Sequence, residues 1–83
     1  MKPDIALQKH LLGILNRIGG AGMEEQSLMT ELEVAAGRPL TTAEAKDALI
    51  FAADRGWTAS RKDEFERVLH WITARGKTQL AGM

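Results

Sequence analysis

Three features of this chain could support catalysis or ligand binding: two histidines, two pairs of carboxylates and one glycine-rich turn. His10 and His70 fall in separate predicted elements, with no cysteine in the chain and no carboxylate at ligand spacing, which favours plain surface and strand roles over metal binding. Glu24-Glu25 and Asp63-Glu64 fall at a helix start and a turn, where solvation and the helix dipole account for them. "GGAG" has no following Lys-Ser or Lys-Thr of a phosphate loop. We therefore expect no catalytic residue, no metal and no cofactor, and so a non-enzyme.

The basic residues of the chain are unevenly distributed. Residues 1–54 hold five basic groups against eight acidic ones, giving −3, whereas residues 55–83 hold six basic groups against three acidic ones, giving +3. A positive C-terminal third could meet a polyanion, or it could be an ordinary solvated surface. Charge alone does not choose between these two interpretations.

Length and composition predict a single water-soluble domain over residues 1–83. The chain is 45% hydrophobic and 27% charged, and no stretch approaches the roughly 20 apolar residues that cross a bilayer. Charged and polar residues interrupt the first apolar stretch, which argues against a signal peptide. With no cysteine, stability must come from packing. We expect a cytoplasmic protein without membrane contact.

Two helices are predicted before residue 37. In the first, over about residues 3–18, apolar side chains at spacings of three and four form one stripe, made by Ile5, Leu11, Leu12, Leu15 and Ile18. Pro3 suits its first turn, and "GGAG" ends it. The second helix, over about residues 24–36, places Leu28 and Leu32 on one side and ends at Gly37. Pro39 in "GRPL" then makes a tight turn.

A third helix is predicted over about residues 42–55. Thr41 and Glu44 have the spacing of a capping box, and Gly56 is its stop. With Ala45 at the centre of the buried face, a step of about 100° per residue turns three further residues inward: Ala48, Leu49 and Ala52. The same rotation turns five residues outward: Ala43, Lys46, Asp47, Ile50 and Asp54.

Beyond Gly56 the pattern is compatible with two structures. In one, "WTASR" and "ERVLHWI" are the strands of a hairpin, followed by a short helix capped by Thr73. In the other, Ser60 caps a helix with an apolar stripe made by Phe65, Val68, Leu69 and Ile72. Periodicity by itself does not decide between them.

Two short motifs then favour the hairpin. Gly56-Trp57 follows the third helix, and Ile72-Thr73-Ala74-Arg75-Gly76 ends the second strand. With three helices and a tight connection between the second and third, this pattern resembles the winged helix-turn-helix family over essentially the whole chain. The resemblance implies an α+β, mainly α fold: three helices, a C-terminal β-hairpin wing at about residues 57–72, and a short final helix at about residues 74–81. We expect Trp57, Leu69 and Trp71 to close the small sheet over the core.

The resemblance also implies a role with double-stranded DNA. The helix over residues 42–55 would enter the major groove, and the wing would touch phosphate or the minor groove. The candidate DNA contacts are Arg38, Thr41, Thr42, Lys46, Arg61, Lys62 and Arg67. The implied protein is a small DNA-binding protein, a regulator for example, and we expect a homodimer because one small module gives little specificity.

A second function stays open because the third helix suits base reading poorly. Asp47 and Asp54 on its outward face would be repelled by phosphates. Ala43 and Ile50 on the same face could form a contact with a protein partner. The alternative is therefore a winged-helix interaction module that binds protein and no nucleic acid.

Overall fold

The computed structural model describes residues 4–83, which form four α-helices, a short 3-10 turn and one small antiparallel sheet. In chain order these are α1 Ile5–Ile18, the 3-10 turn Gly19–Ala21, β1 Met23–Glu24, α2 Glu25–Ala36, α3 Thr42–Asp54, β2 Thr58–Lys62, β3 Val68–Ile72 and α4 Ala74–Ala81. The predicted first-turn role of Pro3 lies outside the described residues. This mainly helical α+β architecture confirms the predicted fold class.

The chain after Gly56 forms the hairpin, so the alternative of a long helix is wrong. Strands β2 and β3 pair antiparallel from Thr58 opposite Ile72 to Lys62 opposite Val68. Strand β1 pairs with the other side of β3, giving the order β1-β3-β2. The sequence did not predict β1, because two residues are too few to show strand alternation.

Helix α1 is the centre of the core. Leu11, Leu12 and Leu15 are fully buried, as the predicted stripe requires. Ile5 and Ile18 are exposed, which corrects that stripe, because they lie in the first turn and at the last residue of α1. Leu7 and Ile14 are buried instead, together with Leu28 and Leu32 of α2, Leu49 of α3 and Ile72 of β3.

Helix α3 begins and packs as its sequence predicts. The Thr41 hydroxyl accepts from the Glu44 backbone N–H at 3.0 Å, and the Glu44 carboxylate accepts from the Thr41 N–H at 3.3 Å. These bonds satisfy two donors that a helix start would otherwise leave free. The inward face predicted from the helical rotation is buried along its length: Ala45, Ala48, Leu49 and Ala52.

Strand β3 presents the opposite face to the core from the one predicted. His70 and Ile72 are buried, whereas Leu69 and Trp71 are only half-buried and lie outside the core cluster. Both faces of β3 carry large apolar side chains, and neighbouring strand residues point to opposite sides, so a shift of one residue exchanges the two faces. Trp57, the other tryptophan, does lie in the core.

Thr73 joins the hairpin to α4 and to the end of α3. Its hydroxyl donates to the Gly56 carbonyl at 2.6 Å and accepts from the Gly76 N–H at 3.0 Å, so it caps α4 as predicted. Its backbone N–H donates to the Trp57 carbonyl at 3.0 Å. These three bonds hold the hairpin against the helices.

Candidate nucleic-acid interface

The start of α3 holds three of the predicted DNA contacts, and two of them are already engaged. Arg38 Nη1 lies 3.0 Å from Glu44 Oε2, and Arg38 Nη2 lies 3.7 Å from Asp4 Oδ2. The hydrogen bond from Arg38, followed by that from the Thr41 backbone, lowers the pKa of Glu44. Thr41 is committed to the cap. Thr42, the third contact, is exposed.

Lys46 is the cation that the outer face of α3 offers. Its side chain is exposed one turn after Thr42, and it forms no ion pair with any residue from 4 to 83. Asp47, Ile50 and Asp54 are exposed on the same outer face, as predicted. The face therefore combines one cation with two carboxylates.

The hairpin carries the other three predicted contacts, two of which are unpaired among the described residues. Arg61 and Lys62 are exposed at the end of β2. Arg67 differs, because its Nε donates to Asp63 Oδ2 at 2.8 Å and its guanidinium lies 5.2 Å from the Phe65 ring centroid. Arg67 is thus held within the hairpin loop.

Asp63 organises this loop. Its Oδ1 accepts from the backbone N–H groups of Phe65 and Arg67, both at 2.9 Å. Partial burial raises the pKa of Asp63, but the hydrogen bonds from Arg67 and Phe65 outweigh it and lower the pKa overall. Glu66 adopts a left-handed conformation with φ of 62°. The loop that follows Arg61 and Lys62 is therefore ordered by its own side chains.

The α1–α3 groove runs beside the outer face of α3. It is an open groove of about 600 Å³ between the start of α1 and α3, lined by Asp4, Leu7, Gln8, Arg38, Ala43, Glu44, Asp47, Ala48, Ile50, Phe51 and Asp54. Both predicted partner-surface residues, Ala43 and Ile50, line it. Sequence reasoning missed the groove, because only the fold places the start of α1 beside α3.

The two histidines have different surroundings. His10 is exposed on α1, whereas His70 is buried and its Nε2 lies 3.0 Å from Glu25 Oε1. This pair, separated by 45 positions, links β3 to the first turn of α2 and was not predicted. Within residues 4–83 no cluster of three metal-ligating side chains occurs.

Two solved structures share this architecture. RosR of H. salinarum aligns over 93% of this chain with a TM-score of 0.79 and 17% sequence identity. A point mutant of S. aureus MepR aligns over 90% of this chain with a TM-score of 0.67 and 19% sequence identity. Both are winged-helix proteins. The chain has the winged helix-turn-helix fold. It spans 67% of RosR and 51% of MepR. No family model and no curated protein matches the sequence.

In the winged-helix frame, α2 and α3 are the helix-turn-helix, and the β2–β3 hairpin is the wing. The predicted contacts separate into two groups: Arg38, Thr41, Thr42 and Lys46 on the helix-turn-helix, and Arg61, Lys62 and Arg67 on the wing. Four of the seven have side chains that form no hydrogen bond or ion pair with another described residue: Thr42, Lys46, Arg61 and Lys62. No helix within the described part of the chain is long and apolar enough to span a membrane.

Proposed function

We propose that this protein is a small, non-enzymatic winged-helix protein that binds duplex DNA, chiefly through the wing. The proposal rests on one observation: Arg61 and Lys62 are exposed on the wing and form no ion pair with residues 4–83. Lysine and arginine that contact phosphates supply most of the affinity of non-specific DNA binding. RosR and MepR, which share the fold, are transcription regulators, and this supports a regulatory role.

The outer face of α3 sets the character of the proposed binding. Thr42 and Lys46 could contact DNA at the start of the helix, but Asp47 and Asp54 repel phosphate along the rest of it. Arg38 and Arg67 are neutralised by carboxylates within the protein. We therefore expect phosphate-led binding with strong salt dependence and little base discrimination. A homodimer would add a second set of phosphate contacts.

Fluorescence anisotropy with a labelled mixed-sequence duplex tests the proposal. At low salt we expect the protein to bind with a Kd below about 0.1 mM, which is the weak limit of non-specific binding. In the variant Arg61→Ala/Lys62→Ala, the negative slope of log K against log salt should become less steep by about two, because two phosphate contacts are lost.

A variant that loses the same number of positive charges elsewhere on the protein provides the control. Lys9→Ala/Arg17→Ala removes two exposed cations from α1 and should keep the wild-type slope. Wild-type binding weaker than about 0.1 mM would exclude the proposed function. An unchanged slope in the wing variant would remove the wing from the interface.

The α1–α3 groove favours a second candidate function, a winged-helix module that binds a protein partner. The predicted partner residues Ala43 and Ile50 line this groove together with Asp47 and Asp54. Such a surface repels nucleic acid and offers apolar area to a protein. If the protein binds no DNA duplex but binds a protein partner at this groove, the second function is selected over the first.

A further inference from the structure

We propose that the α1–α3 groove is a docking site for a basic amphipathic segment of a partner protein. This inference goes beyond the proposed DNA binding and uses a different surface from the wing. It rests on the apolar floor of the groove and on its acidic rim.

The apolar part of the groove is continuous from the core to the surface. Leu7 and Ala48 are buried, Phe51 is half-buried, and Ile50 is 58% exposed. A single exposed isoleucine is ordinary, but here Ile50 extends an apolar strip that begins in the core. The strip can therefore receive an apolar side chain from a partner.

The rim of the groove is acidic. Four carboxylates line it, from Asp4, Glu44, Asp47 and Asp54, and Arg38 is the one cation among the lining residues. Arg38 engages Asp4 and Glu44, whereas Asp47 and Asp54 form no ion pair with any described residue. The excess of negative charge selects a basic partner and disfavours nucleic acid.

The spacing of residues on the outer face of α3 fits a helical partner segment. Ala43, Asp47, Ile50 and Asp54 follow one another at intervals of four, three and four residues, so they form one stripe along α3. At a rise of 1.5 Å per residue this stripe is about 16 Å long. It matches about three turns of a helix whose apolar face is flanked by lysine or arginine.

Gln8 connects the two helices that border the groove. It is 2% exposed, and its Nε2 donates to the Ala48 carbonyl at 2.9 Å. This hydrogen bond joins α1 to α3 beside the groove.

A synthetic peptide pair tests the inference on the full chain. The first peptide is a helix of three to four turns with leucines on one face and lysines flanking them, and the second carries glutamate in place of each lysine. In ¹⁵N NMR titrations at 0.15 M salt, we expect the lysine peptide to shift the amide signals of Ala43, Asp47, Ile50 and Asp54. We expect the glutamate peptide to bind at least about tenfold more weakly.

Matched protein variants locate the site. Asp47→Lys/Asp54→Lys should lower the affinity for the lysine peptide by at least about fivefold. Glu31→Lys/Glu64→Lys, which has the same change of net charge, should leave that affinity unchanged. Ile50→Ser should weaken it, while Val34→Ser on α2 should not, since Val34 is also exposed but lies outside the groove. All substituted side chains are exposed, and the dispersion of the amide spectrum verifies folding.

Three results would overturn the inference: equal affinity for the two peptides, shifts confined to other surfaces, or equal losses in test and control variants. Concentration-dependent shifts at the groove without peptide, abolished by Ile50→Ser, would instead identify a second copy as the occupant. DNA binding and peptide binding can be distinguished with the same variants. Arg61→Ala/Lys62→Ala should still bind the lysine peptide, and Asp47→Lys/Asp54→Lys should still bind the DNA duplex. Failure of one proposal therefore leaves the other intact.

Discussion

Two helical glycines of this protein have opposite surroundings. A Cβ on Gly76 would lie 2.7 Å from Ile72 Cγ1 and 2.9 Å from the Trp57 carbonyl carbon, and closer still to the Trp57 oxygen. That backbone is held by the hydrogen bond from Thr73, so it cannot easily move away. A Cβ on Gly13 in α1 would meet no atom within 4 Å. Gly76 is thus required by packing, whereas Gly13 only weakens its helix.

We predict opposite effects of alanine at these two positions. Gly76→Ala should lower the free energy of unfolding by about 2–3 kcal/mol, because the backbone contact must open. Gly13→Ala should raise it by about 0.5–1 kcal/mol, because alanine loses less conformational entropy in a helix. Urea denaturation of both variants measures these changes. A neutral Gly76→Ala would show that α4 can move away from Trp57.

The shape of the wing depends on its loop. The Asp63 carboxylate accepts hydrogen bonds from three N–H groups of the loop, two from Arg67 and one from Phe65. The same carboxylate neutralises Arg67, so a residue with the charge and position for DNA contact instead maintains the shape of the loop. The free cations Arg61 and Lys62 are positioned by the strand that precedes it.

The loop should be sensitive to acid. The pKa of Asp63 lies below its ordinary value of 3.8, so the carboxylate stabilises the loop fully above that pH and less as the pH falls through the lower, folded value. We expect the amide signals of Phe65 and Arg67 to titrate together at a pH below 3.8 in an NMR series. Asp63→Asn should abolish that titration, and Glu64→Gln, at an exposed position, should leave it unchanged. A midpoint above 3.8 would contradict the hydrogen-bonded geometry.

One hydrophobic core connects all four helices and the sheet. Leu11 of α1 is fully buried in it, and Ile50 of α3 is 58% exposed although equally apolar. A small domain has little stability to lose, so the two positions should respond very differently to truncation.

Thermal unfolding followed by circular dichroism tests this difference. Leu11→Ala should cost about 3 kcal/mol and lower the Tm by about 10–20 °C, because it leaves a cavity in the core. Ile50→Ala should change the free energy of unfolding by less than about 0.5 kcal/mol, since it creates no cavity. A large loss at Ile50 would mean that the groove residue stabilises the free protein.

Much of the fold and part of the candidate site followed from local sequence. The capping box at Thr41 and Glu44 and the inward face of α3 were predicted correctly, because bond geometry fixes the 3.6-residue period and the cap spacing. The hairpin required the resemblance to winged-helix proteins, since apolar residues in that segment suit a strand or a helix equally. The proposed DNA roles of the individual residues remain predictions.

Only the tertiary structure decided which faces and which charges meet. It turned His70 and Ile72 of β3 inward instead of Leu69 and Trp71, it paired His70 with Glu25, and it placed Arg38 between Asp4 and Glu44. The physical reason is distance. Periodicity is set by neighbours along the chain, whereas the buried face of a two-sided strand and the partner of a charge depend on groups brought close through space.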